Sequence, residues 1–283
     1  VSVYGNTHGF LQVEHKTRHS ISCSVVGESD GRMQSDCWYE INRNPDRLAS
    51  AKAIGLKAAE RTIKRLDAQK LKTQQAPVLF VPEIARGLIS HFTGAIGGTA
   101  QYRKASFLLD AVDTRVFPEF FQLVEYPFES QALGSANYDG EGVMVREAEL
   151  VTDGVIQSYL LDSYAARKLG LQTTGHSSGV HNLTLKDTGK SFDQCVKALH
   201  RGFLVYELMG HGVNTVTGDY SRGAAGFWVE NGEIKFPVEE VTIASNLSDM
   251  YNGIVEIGKD LDWRGNIRTG SILVENMTIA GSD

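Results

Sequence analysis

Apolar and polar positions alternate through residues 1–26, with Phe10, Leu11, Val13, Ile21, Cys23 and Val25 marking a period of two. That period predicts half-buried antiparallel strands. The polar, glycine-bearing residues 27–31 separate them from another predicted strand at 33–41. Asn44-Pro45-Asp46 predicts a helix start, and Leu48, Ala51, Gly55, Ala59, Ile63 and Leu66 recur at helical spacing over residues 46–72. Gln74-Gln75-Ala76-Pro77 reads as a linker. Beyond it, Val78-Leu79-Phe80-Val81 predicts a short buried strand feeding a helix over 83–96, which Gly97-Gly98 ends. Asp153-Gly154 between alternating residues predicts a hairpin of strands 142–151 and 155–161. A helix follows at 162–169, stopped by Gly170, and an amphipathic helix at 191–201. The remainder reads as strands at 203–208, 226–229, 233–236, 241–244 and 272–279, with a glycine-rich loop before Gly226 and an Asn231-Gly232 turn. Strands outnumber helices, hairpins imply antiparallel pairing, and long βαβ alternation is absent. The expected class is α+β, mainly antiparallel β-sheets with a few covering helices, in two parts, 1–75 and 76–283.

Composition narrows the function classes. At 283 residues, 42% apolar and 22% charged, the chain has the make-up of a globular protein, and no apolar run approaches the length of a bilayer span. The net charge of −6 argues against a dedicated nucleic-acid binder. Residues 46–72 carry eight Lys/Arg against three Asp/Glu, which reads as the solvated outer face of a helix. Cys23, Cys37 and Cys195 are odd in number and lack CxxC spacing, which suits a reducing cytoplasm. The chain opens on Val1-Ser2-Val3-Tyr4-Gly5, as though already inside a strand and with no charged-then-apolar leader, the expectation for a fragment of a longer protein.

Candidate chemistry is sparse. Tyr206-Glu207-Leu208-Met209-Gly210-His211 approximates a zinc-peptidase HExxxH with Tyr206 in place of the first histidine. A phenol with a pKa of about 10 is a poor zinc ligand. The run around Glu207 favours a strand, whose neighbouring side chains point to opposite faces, and Gly210 and Gly212 oppose the helix the motif needs. His176 and His181 share a polar loop with no acidic or cysteine neighbour, and read as structural or surface residues. His15 and His19 read as surface histidines of an edge strand. Asp139-Gly140-Glu141-Gly142 offers two carboxylates but reads as a tight turn. Cys195 lies in a predicted helix, no G-x-S-x-G elbow occurs, and Ala95-Ile96-Gly97-Gly98 lacks the Lys-Ser/Thr of a phosphate loop.

The block from Thr217 to Gly232 sets Asp219, Arg222, Phe227 and Trp228 in an order that turn chemistry does not require. With its flanks at 208–214 and 237–244, it resembles the C-terminal domain of the PmbA/TldE family. Asn6-Thr7-His8-Gly9-Phe10, Asp139–Val143, Tyr159–Leu171 and Thr173-Thr174-Gly175 extend the likeness over nearly the whole chain. The resemblance implies the partner half of a zinc-dependent peptidase assembly. In the sister TldD subunit, an HExxxH lies on the helix after a strand like Val78–Val81, and a C-terminal cysteine completes the metal site. Laid on that pattern, Ser90, His91 and Ala95 stand where the first His, the catalytic Glu and the second His would be, and Thr269 where the cysteine would be. The resemblance thus implies an erased metal site, no catalytic residue and no cofactor in this chain, with zinc held by a TldD-type partner in a heterodimer that takes unfolded peptides. A homodimer is the form open to the chain alone. Asp219 and Arg222, as a pair fixing a loop or lining the cleft, and His211 and Asn214 beside them, are the expected substrate-side residues. Family roles include microcin maturation, antitoxin turnover and modulation of sensitivity to gyrase poisons. Two rivals remain: a self-sufficient peptidase using His211 with Glu207, or His176 and His181; and a binding module for gyrase or nucleic acid acting through the basic helix.

Overall fold

The N-terminal alternation becomes two antiparallel hairpins in the computed structural model, which describes residues 1–281. The first joins β1 (Ser2–Gly5) to β2 (Leu11–Glu14); the second joins β3 (His19–Ser29) to β4 (Arg32–Asn42) in unbroken register from His19↔Asn42 to Ser29↔Arg32. One face of β3, with Ile21, Cys23 and Val25, lies half-buried against α1 (Ala51–Lys64).

α1 departs from the expected helix in start, end and face. Asn44 caps only a short 3-10 turn, Pro45–Arg47, and the α-helix begins where the Ser50 hydroxyl accepts the Ala53 N–H at 3.2 Å. It ends at Lys64, capped by Arg65, rather than near residue 72. The buried stripe is Ile54, Ala58 and Thr62, one position off the apolar series, and Ile63 is 64% exposed. Polar residues can face inward because partners meet them there: the Thr62 hydroxyl donates to Ala58 O at 2.9 Å, and Arg65 reaches carboxylates. The helix is therefore not simply a basic outer face. Arg61 and Arg65 point inward, while the outward Lys57 and Lys64 pair with Glu60.

The rest of the chain supplies β5 (Gln74–Phe80), α2 (Pro82–Ala95), α3 (Gly98–Tyr102), β6 (Leu123–Glu125), β7 (Ala148–Thr152), β8 (Val155–Ile156), α4 (Ser163–Leu169), β9 (Leu183–Leu185) and α5 (Phe192–Leu199). It continues through β10 (Gly202–Met209), β11 (Asp219–Glu230), β12 (Glu233–Asn246), α6 (Leu247–Asn252), β13 (Ile254–Ile257), β14 (Ile267–Arg268) and β15 (Ile272–Ala280). The main sheet runs β12-β11-β10-β5-β15-β13, and β12 pairs again with β15, so five strands close into a ring. Among the described residues, only β5–β10 is parallel in it. Alternation divides its side chains between two cores. Val78, Phe80, Phe203 and Val205 join the core built with α2, while Leu79, Leu204, Phe227 and Val229 pack with Cys195, Val196 and Leu199 of α5. A second sheet, β14-β9-β6-β7-β8, completes an α+β architecture.

Local punctuation behaves as the sequence implies. Asp153 and Gly154 take φ of 51° and 75°, Asn231 and Gly232 take 55° and 73°, and Gly170 ends α4 in the left-handed region. Ser191 opens α5 with a capping box. Four expectations fail. The presumed linker Gln74–Pro77 is the first half of β5; Pro77, which lacks an N–H, is accommodated where the β5–β15 register slips between Val274 and Met277. The hairpin strands shrink to β7 and β8. The glycine-rich loop is strand from Asp219 onward, and α6 interrupts the strand-only C-terminus.

A register slip between Val205 and Glu207 sets Tyr206 in a bulge of β10. Gly226 lies opposite Val205, where an added Cβ would sit 2.0 Å from Leu204 O. Gly226→Ala is therefore expected to cost about 2–4 kcal/mol in urea unfolding. A cost below about 0.5 kcal/mol would show that the strand accepts a side chain there.

Candidate functional site

The bulge has a consequence for chemistry. A regular strand would send Tyr206 and Glu207 to opposite faces, but here both line one cavity of about 390 Å3, together with Trp38, Tyr39, Arg61, Arg65 and Glu83. The cavity lies where β4, α1, β10 and the first turn of α2 meet. Arg61 binds Asp36 (Nε–Oδ1 3.2 Å) and Glu83 (Nη1–Oε1 2.7 Å). Arg65 binds Asp36 (3.5 Å) and Glu207. Arg264 holds Asp262 with Nε at 2.8 Å and Nη2 at 3.2 Å, and stacks over Trp38 and Tyr39 at 4.0 and 4.7 Å. Burial works against the Arg61 charge, and Glu83 and Asp36 more than restore it. Burial also pushes the Tyr206 phenol up to about 12, so it stays protonated. Each acid in this cluster already faces a guanidinium, and among the described residues no histidine lines the cavity.

The residues singled out by family pattern lie elsewhere. Ser90 is exposed, Ala95 is buried in the main core, and His91 is half-buried with its ring 6.2 Å from that of Tyr220. Burial, and then the Arg222 charge, lower the His91 pKa. The cavity meets α2 at Glu83, Ile84 and Arg86, the last of them five residues before His91 and so about 7.5 Å away along the axis. Thr269 is fully buried, its hydroxyl donating to Gly270 O at 2.9 Å. Asp219 and Arg222 do not form a pair. Asp219 accepts from the Thr217 hydroxyl at 2.6 Å, Arg222 donates to Met209 O at 3.2 Å, and both stand on β11 rather than in a loop. His211 is exposed past the end of β10, and Asn214 caps its own turn by accepting Val216 N–H at 2.9 Å. Glu207 is held by Arg65, so the Glu207–His211 motif is not assembled.

A second cluster overturns the reading of the loop histidines. The sequence places no acid beside His176 and His181, but β6 delivers Glu125 between them. His176 Nε2 lies 2.8 Å from Glu125 Oε2, and its Nδ1 lies 2.8 Å from Thr174 Oγ1. The backbone N–H of His181 donates to Glu125 Oε1, and His181 Nδ1 lies 3.4 Å from the same oxygen without forming a hydrogen bond. All three side chains are at least 94% buried. Burial would raise the Glu125 carboxyl, but hydrogen bonds from His176 and then His181 overcome it and hold it at about 2. The signal for Glu125 was a carboxylate directly after the apolar pair Leu123-Val124, since a buried charge needs a partner. Asp139 ties the same loop down, accepting N–H groups of Glu141, Val143 and Ser177 at 2.9–3.1 Å, as the turn reading requires. Burial pushes the Cys195 thiol up to about 11, so it is no nucleophile.

Residues 1–66 match the model of the PmbA/TldA metallopeptidase central domain, and residues 73–281 that of the PmbA/TldA metallopeptidase C-terminal domain. The chain is 47% identical over 281 residues to an Escherichia coli protein named metalloprotease PmbA, covering 99% of this chain and 62% of that one. It is 45% identical over 284 residues to a Haemophilus influenzae metalloprotease PmbA homolog, covering 100% and 63%. A Bacteroides thetaiotaomicron crystal structure, described as a modulator of DNA gyrase, superposes with a TM-score of 0.93 at 29% identity, covering 98% of this chain and 63% of that one. TldE from Thermococcus kodakarensis shares the fold, with a TM-score of 0.84 at 23% identity over 97% of this chain and 65% of that one. The chain thus spans less than two thirds of the length of these relatives. Among the described residues, no helix is long and apolar enough to cross a membrane.

Two outcomes follow from the clusters. Arg264→Leu, which leaves Asp262 only the backbone N–H of residue 264 and Arg86 at 4.0 Å, is expected to cost about 3 kcal/mol, against less than about 0.5 for the exposed Lys57→Ala, both read from urea unfolding. Glu125, with its folded pKa depressed from 4.5 to about 2, contributes stability that is complete above about pH 4.5 and is lost as pH falls toward 2. In chelator-treated protein, Glu125→Gln should therefore be less stable by about 3 kcal/mol at pH 6, with the gap narrowing below pH 4.5. A gap that does not change with pH would contradict this.

Proposed function

The chain belongs to the PmbA/TldA metallopeptidase family, and from that premise we propose that it is the non-hydrolytic, peptide-guiding half of a cytoplasmic zinc peptidase whose catalytic metal sits in a TldD-type partner. The observation that carries this reading is the chemistry along α2. Zinc hydrolysis needs neutral imidazoles, a further donor and a base converging on one ion. The stretch from Ser90 to Ala95 offers His91 alone, and that ring faces Tyr220. The cavity at the start of α2 gathers carboxylates, but Arg61, Arg65 and Arg264 neutralise them, which leaves no free base to deprotonate a metal-bound water.

What such a cavity offers an extended peptide is binding. Trp38, Tyr39 and Tyr206 supply apolar walls, and the paired guanidiniums and carboxylates supply hydrogen-bonding groups at fixed positions. The rivals have less support. Glu207 and His211 do not converge. His176 and His181 do meet, but on Glu125, away from α2, where the carboxylate is taken up by the two histidines and is not left over as a base. The two arginines that turn inward on α1 weaken its outward basic face as a nucleic-acid surface.

The test is cleavage of an unfolded peptide by this chain alone and by this chain copurified with a TldD-type subunit, each with and without one equivalent of zinc. The proposal expects cleavage only with the partner, and a further loss when Tyr206→Ala is introduced here. Cleavage by the chain alone at the rate of the mixture would overturn it.

A further inference from the structure

We propose that Glu125, His176 and His181 form a binding site for one divalent transition-metal ion, with zinc the best fit. The site lies apart from the α2 cavity, and the proposal goes beyond the peptidase-partner reading without depending on it.

The donor set comes first. One atom from each of the three residues lies within 4.8 Å of the other two. In a tetrahedral zinc site with bonds of about 2.0–2.1 Å, donor atoms stand about 3.3 Å apart. His181 Nδ1 stands 3.4 Å from Glu125 Oε1 and His176 Nε2 2.8 Å from Glu125 Oε2, with one ligand atom from each residue within 4.8 Å of the others, so an ion requires His176 to back away from the carboxylate and the two rings to close on a common point. Two imidazoles and a carboxylate select zinc-like ions over magnesium or calcium, which prefer oxygen alone.

The decisive observation is an atom that hydrogen bonding within the protein leaves unexplained. His181 Nδ1 is buried, has no hydrogen-bond partner, and is directed at the Glu125 carboxylate. A purely structural cluster would be complete with His176 on Oε2 and the His181 backbone N–H on Oε1, and would leave this nitrogen stranded. A metal ion supplies its missing partner. The surroundings fit the same role. Thr174 Oγ1 takes N–H from Leu161 at 2.7 Å and stands 2.8 Å from His176 Nδ1. Accepting the Nδ1 proton there, it holds the ring so that an ion can replace the Nε2 proton that His176 donates to Glu125 in the metal-free chain, that proton leaving to solvent, as outer partners of metal-bound histidines do. His181 also forms part of the wall of a cavity of about 640 Å3, which gives an ion its route in and a water its place as fourth ligand.

The test uses the whole chain, untagged and stripped with chelator, titrated with Zn2+ against a chromogenic chelator and with Co2+ for its visible spectrum. The expected result is about one equivalent of Zn2+ per chain, a Co2+ spectrum of four-coordinate intensity, and a rise in Tm on loading. His181→Ala should weaken binding by about 100-fold or more in a metal-free chain that still unfolds cooperatively, and its Tm should no longer rise on addition of Zn2+. Glu125→Gln should weaken binding similarly, and His91→Ala and His211→Ala should leave it unchanged. No stoichiometric binding, or binding that survives His181→Ala, or binding lost in His211→Ala, would overturn the proposal. The two readings fail separately: cleavage by the isolated chain would sink the partner role and leave this site standing, and absence of metal binding would do the reverse.

Discussion

Guanidinium groups can be buried only where carboxylates meet them, and that requirement organises this molecule. Arg61 and Arg65 enter from α1, Asp36 from β4, Glu83 from the first turn of α2, Glu207 from β10, and Asp262 and Arg264 from the segment before β14. Each charge is costly away from water unless its partner arrives in the same place. The network therefore ties the N-terminal hairpin layer to the closed sheet of the C-terminal part. The Tyr206 bulge, which Gly226 makes room for, lets β10 contribute both Tyr206 and Glu207 to one wall.

The Glu125 cluster follows the same logic but stops one partner short. Its carboxylate receives a ring nitrogen and a backbone N–H, yet the His181 ring nitrogen beside it is left without a bond. The α2 cavity is electrostatically complete, which suits a surface that holds a substrate rather than transforms it. The loop cluster is electrostatically incomplete, which suits a site that holds an ion.

How legible this was in the sequence depended on the range of the interactions involved. The Asp153-Gly154 and Asn231-Gly232 turns, the Gly170 stop and the Ser191 cap are decided by neighbours within a few residues, and all four are where the sequence implies. The buried side of α1 was not legible, because Arg65 faces inward only where Asp36 and Glu207 arrive from other segments, and Thr62 only because its hydroxyl is satisfied on its own helix at Ala58 O and on β3 at Val25 O. Pro77 could not be recognised as strand without knowing that the β5–β15 register slips opposite it. Glu125 sits 51 residues from His176 in sequence, so the loop histidines looked unaccompanied. The family blocks led to the right fold, while Asp219 and Arg222, the residues most conspicuous in them, turned out to occupy β11 with separate partners.

The central claim, that paired buried charges join the two parts and shape the cavity, is tested most directly by a double-mutant cycle on Arg61 and Glu83, which meet at 2.7 Å with 11% and 17% of their side chains exposed. Urea unfolding of Arg61→Ala, Glu83→Ala and the double variant should give a coupling energy of about 2 kcal/mol or more. A coupling below about 0.5 kcal/mol, the value typical of an exposed pair, would mean that the network is decoration and that the joint is held by apolar packing alone.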